Sequence, residues 1–124
     1  MEAKTIKPGV FYECEGFSIT AILVDHHPIA PAFGYRIDYT GRSVVISDDT
    51  VVVESLMQAS KEVNLLLHDA LSPAILNRAI QGAKQAGLTT RAKILSDVKS
   101  YHTHTTDIVK ALRLRLSRNW RFII

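Results

Sequence analysis

From Val10 to Val24 apolar and polar residues alternate in two short runs, VFYECE and FSITAILV, separated by Gly16. A period of two is that of a strand with one buried face, and a residue free to adopt positive φ suits a tight turn, so this stretch predicts a hairpin. FGYRIDY and RSVVISD repeat the pattern around Thr40 and Gly41, with Pro28 and Pro31 marking a loop before them. The period then changes. Val53, Leu56, Met57 and Ser60 recur at helical spacing, and NLLLHDA is a short apolar run of the kind found in a buried strand, which predicts a strand–helix–strand unit. Helices are predicted in SPAILNRAIQGAKQAG, with Ser72 as N-cap, Pro73 in the first turn and Gly87 as the stop, and in TTRAKILSDVKSY, capped by Thr89 or Thr90. One more, DIVKAL, is capped by Thr105 or Thr106. LRLRLSRNWRFII alternates again and reads equally as a terminal edge strand or as a tail foreign to the fold. The expected division is therefore a body over 1–112 and a basic tail over 113–124.

Composition changes this picture little. A chain of 124 residues with 47% apolar and 22% charged residues has the make-up of a single globular domain. No apolar run approaches the ~20 residues of a membrane helix. The start, MEAKTIKPGVFYE, lacks a signal-peptide apolar segment, so a cytoplasmic protein without a membrane partner is expected. The net charge of +3 comes from the end of the chain: Lys110, Arg113, Arg115, Arg118 and Arg121 follow the last acid, Asp107, and the remainder carries 10 basic against 12 acidic residues. Nucleic-acid binding by charge would thus rest on the tail alone, and is the weakest of the readings. With one cysteine, Cys14, neither an intrachain disulfide nor a cysteine-based metal cluster can form, so any metal must be held by histidine and aspartate.

All five histidines fall at the ends of predicted elements. His26 and His27 follow ITAILV, His68 ends NLLL, and His102 and His104 precede the last helix. In α/β arrangements sites are built at strand ends and in the loops beyond them. VVISDDT places Asp48 and Asp49 in the same kind of position, where a paired carboxylate either caps a turn or presents a ligand. Taken singly each residue has an ordinary structural explanation; their joint placement points to a site.

The order PAFGYRIDYTGRSVVISDDT, LLLHDA and YHTHTTDIVKAL resembles the second half of the metallo-β-lactamase superfamily, nearest its ribonuclease Z and arylsulfatase-like hydrolases, over about residues 20 to 112. There the corresponding stretches run approximately PAFGYRI, SGDT, LLIHEAT, and a His followed by Ser or Thr and a helix. The resemblance implies that Asp49 is a metal-bridging carboxylate and that His102, with His104 as rival, is a metal ligand. It implies proton transfer by His68 assisted by Asp69, and a substrate-side place for His26 beside the variable His27. Two departures stand out: Asp48 replaces the family's Gly, and the shorter Asp69 replaces Glu.

The superfamily's His-x-His-x-Asp-His does not occur in this sequence. The resemblance therefore implies half of an αββα sandwich, an α/β fold with a mixed sheet covered by helices on one face. Such a half leaves an apolar sheet face open and is expected to form a homo-oligomer. Functionally it implies a truncated hydrolase using zinc, or manganese, in a weak or incomplete site on phosphodiester or ester substrates. The alternative is an oligomerising fragment that keeps the fold and has lost the chemistry.

Overall fold

A computed structural model of the protein describes residues 5–115 and 122–123. The first hairpin forms as its alternation predicts: β1 (Gly9–Cys14) and β2 (Phe17–His26) pair antiparallel and close with Cys14 opposite Phe17. The two linking residues, Glu15 and Gly16, have φ of 47° and 80°, the mirror-image turn whose twist matches that of paired strands. β3 (Ile29–Tyr39) and β4 (Arg42–Ile46) close the same way through Thr40 and Gly41, at φ 44° and 77°.

The connection between the hairpins differs from the expected loop. β2 and β3 are themselves paired, and only His27 and Pro28 turn the chain. Pro31 lies inside β3, where the register slips: Val24 faces Ala32 and His26 faces Ile29, so two β3 residues oppose Asp25 alone. A bulge of this kind accommodates a residue without an N–H and re-aims the neighbouring side chains.

After β4 the predicted strand–helix–strand unit appears as α1 (Glu54–Ala59) leading to β5 (Leu65–Leu67), parallel to β4. α2 (Pro73–Gln85) starts on Ser72, whose hydroxyl accepts from the Ile75 N–H. It ends at Gly87, φ 72°, with Leu88 N–H donating to Ala83 and Gly87 N–H to Lys84. Leu88, the last residue of that motif, is also the N-cap of α3 (Thr89–Asp97), so neither threonine caps it. α4 (Thr105–Arg115) likewise includes Thr105 as its first residue. It continues past Leu112 because Ile108 and Leu112, four apart, are both in the core and hold another turn in register. The strand-or-tail reading of the last stretch falls largely on 116–121, outside the described residues; Phe122–Ile123 form β6, parallel to β5.

Among the described residues the result is a mixed six-stranded sheet in sequential order, with α1 and α4 packed on one face. Ile22, Val24, Val45 and Leu66 of the sheet pack against Leu56 and Met57 of α1 and Ile108 and Leu112 of α4. Residues that point the other way, such as Leu23, Tyr39 and Ile46, are 49%, 55% and 37% exposed. Gly34 shows how tightly the covered face is built, since a Cβ there would lie 2.9 Å from the carbonyl oxygens of both Ile46 and Ser47 and 3.0 Å from Leu56.

Candidate metal centre

β2, β4 and β5 all end at the same edge of the molecule, opposite the two tight turns. Their extensions carry the candidate residues. His26 is the last residue of β2, Asp49 lies three residues beyond β4, and His102 lies in the loop before α4. One ligand atom from each of the three falls within 4.8 Å of the others. Residues 26, 49 and 102 thus meet although long stretches of chain separate them.

Local chemistry orients the group. His102 Nδ1 donates to Asp69 Oδ2 at 2.7 Å, with both side chains about one-fifth exposed, which fixes the ring plane and leaves Nε2 for another partner. The loop carrying His102 is tied to the segment after Asp69 by Leu71 N–H to the Thr103 carbonyl, 2.7 Å, and Thr105 N–H to the Leu71 carbonyl, 3.1 Å. His26 packs edge-on against the rings of Tyr101 and His102, with centroids 5.2 and 5.3 Å apart, and its buried Nε2 has no hydrogen-bond partner among the described residues. Asp49 is exposed, and Asp48 before it holds φ 55°, the left-handed conformation for which the family's glycine at this position is suited.

Two imidazoles and a carboxylate are a donor set suited to zinc and to other first-row dications, and three protein ligands are the number that leaves a position open for water. An orphaned His26 nitrogen and a His102 ring aligned by a carboxylate are what such a site requires of its surroundings. The residues present therefore fit a metal ion.

The remaining candidates lie outside this trio. His27 is exposed, and its N–H caps onto the Asp25 carboxylate at 3.1 Å. His104 Nδ1 is 3.8 Å from Asp107, and its buried Nε2 has no hydrogen-bond partner among the described residues. With His102, Lys99 and Asp107 it lines a cavity of about 250 Å³. His68 Nδ1 bonds the Asp69 carbonyl at 2.8 Å, and burial pushes the pKa of its ring down against the smaller raising effect of that bond. His26, expected on the substrate side, thus lies beside Asp49 and His102 in the candidate group. Asp69, expected to assist His68, is engaged with His102. The sequence carried a signal for the first in the position of His26 at a strand end, shared with Asp49; it carried none for the second, since a contact across 33 residues leaves no spacing to read.

No family model matches the chain. Among curated proteins it is 30% identical over 95 residues to the ribonuclease Z of Mycobacterium avium, covering 77% of this chain and 30% of that protein. It is 30% identical over 99 residues to the ribonuclease Z of Mycolicibacterium paratuberculosis, covering 80% and 31%. A putative ribonuclease Z of Mycobacterium tuberculosis is 31% identical over 81 residues, with 65% and 36% covered. The chain thus spans about a third of the length of the curated relatives it matches. Among solved structures, the crystal structure of human tRNase Z, short form, shares the fold with a TM-score of 0.55 at 20% identity, over 91% of this chain and 39% of that one. With the ordered motifs, the mixed sheet and these likenesses in agreement, the chain belongs to the ribonuclease Z-like group of the metallo-β-lactamase superfamily.

Proposed function

We propose that the chain supplies His26, Asp49 and His102 as ligands to a metal-dependent hydrolase centre acting on RNA phosphodiester bonds. The convergence of those three ligand atoms within 4.8 Å carries this reading. A dication held there would polarise a phosphoryl oxygen and acidify a water. Asp69 holds His102 in place, and the cavity beside His102, lined by both Lys99 and Asp107, offers room for a substrate phosphate. His68 is the group that moves a proton. Its lowered pKa keeps the ring neutral at pH 7, and the approach of an anionic phosphodiester would raise its basicity again.

Zinc titration and hydrolysis of an activated phosphodiester test the proposal together. The expected outcome is zinc binding weaker than that of a complete centre, lost on Asp49→Ala. His68→Ala is expected to slow turnover by roughly a hundredfold or more with metal content unchanged, the range for a positioned acid or base. Zinc retained by Asp49→Ala overturns the assignment.

The exposed apolar residues on the uncovered sheet face favour a second reading, an oligomerising fragment without catalysis. Both readings expect a dimer or larger assembly in sedimentation. They part on activity: a site completed by association gives hydrolysis that rises faster than linearly with protein concentration, and the fragment gives none with zinc or manganese added.

A further inference from the structure

Beneath the three candidate ligands runs a chain of hydrogen bonds that joins the immediate sequence neighbour of each. Asp25 precedes His26, Thr50 follows Asp49, and Thr103 follows His102. Thr50 is 0% exposed; its hydroxyl accepts from the Asp25 N–H at 3.2 Å, and its one proton has two acceptors in reach, the Asp25 carbonyl at 3.0 Å and the Val51 carbonyl at 2.8 Å. The next residue repeats the link, with Val51 N–H donating to the same Asp25 carbonyl at 3.1 Å. From the other side Thr103, 2% exposed, donates its hydroxyl to the Thr50 carbonyl at 2.7 Å. Thr50 therefore binds the strand end that carries His26 through its side chain, and the loop that carries His102 through its backbone.

We propose that Thr50 and Thr103 are positioning residues whose buried hydroxyl bonds set the spacing of His26, Asp49 and His102. The inference rests on the reading of those three as metal ligands and adds what holds them at that spacing. Valine would fill either position with nearly the same shape, and the surroundings are otherwise buried. A hydroxyl there gains its worth from direction, because a fully satisfied buried polar chain admits one arrangement of the segments it joins, whereas apolar packing tolerates small slips. The bulge opposite Asp25 and the left-handed turn at Asp48 interrupt regular pairing where the β2 end and the loop after β4 approach, so these hydroxyls add to the Val51–Asp25 backbone bond between segments that are not paired with each other as strands.

The test compares cobalt and zinc binding by the whole chain in Thr50→Val, Thr103→Val, Thr50→Ser and Thr103→Ser, with chelator competition for affinity and the cobalt d–d absorption for geometry. Both valine variants are expected to bind zinc roughly 10- to 100-fold more weakly, the usual cost of losing the support behind a ligand, with an altered cobalt spectrum. The serine variants, which keep the hydroxyl, are expected to restore both. Val63→Ala, which thins the core away from these bonds, is expected to lower the melting temperature and leave affinity per folded molecule unchanged. Parent-like zinc affinity in the folded valine variants overturns the inference and leaves the ligand assignment standing, as does an equal loss in Val63→Ala. Absence of cobalt and zinc uptake by the unmodified chain overturns both.

Discussion

The two ends of the sheet are closed by different means. At one end the chain turns back within two residues, at Glu15–Gly16 and Thr40–Gly41, and each turn is satisfied by its own neighbours. The ion pair of Arg36 and Asp38 lies near that end, two residues apart on one strand. At the other end, side-chain bonds join Asp25 to Thr50, Asp69 to His102 and Thr50 to Thr103, across 25 to 53 residues of sequence. The two turns at the local end need only turn chemistry. The distant end gathers candidate ligands that no short segment could bring together, which is why the candidate site lies there.

The sharpest way to break this contrast is Gly34→Ala. Its Cβ would press on the carbonyls of Ile46 and Ser47, two backbone groups with little freedom to yield, immediately before the loop that carries Asp49. Destabilisation of about 1–3 kcal/mol is expected, as for other overpacked cores, together with weaker zinc binding. Chemical denaturation and metal titration of the same protein measure the two effects.

Asp69→Asn acts on the distant end alone. It keeps size and a carbonyl acceptor while removing the charge behind His102, so zinc affinity is expected to fall by roughly tenfold or more with little change in the melting temperature. Unchanged affinity would show that the 2.7 Å contact leaves metal binding untouched.

The two ends also differ in pH response. His68 has a folded pKa below its unfolded value of about 6.5, so stability is expected to be full above pH 6.5 and to fall as pH drops from there through the folded value; His68→Gln should flatten that slope. Asp38, held below the usual carboxylate range chiefly by its bond to Arg36, contributes stability that is present above about pH 4 and lost only in stronger acid. Urea melts between pH 7 and 3 resolve the two windows.

The smallest effect is expected from Arg36→Met at the local end. The pair is partly exposed, so solvent screening holds its loss to about 1 kcal/mol or less, and the bond to the Ala59 carbonyl adds modestly to that. Zinc affinity is expected to stay at the parent's value, measured in the same titration. A loss there would join the two ends and dissolve the contrast.

Alternation and turn residues determined both hairpins, and helical spacing with Ser72 and Gly87 determined α2, because these signals lie within a few residues of what they control. The ordered motifs were equally legible, and they named Asp49 and His102 with the family. The sequence by itself could not show the pairing of β2 with β3 across Pro28, since the bulge that admits Pro31 exists only against a partner strand. Nor could it place His26 beside Asp49, turn Asp69 toward His102, or join Thr50 to Asp25 and Thr103. Those contacts depend on where three strand ends and one helix start come to rest once the core of Val45, Leu56, Leu66 and Ile108 has closed. Their geometry follows from burial and directional bonding in three dimensions, a property of the packed chain that residue spacing does not record.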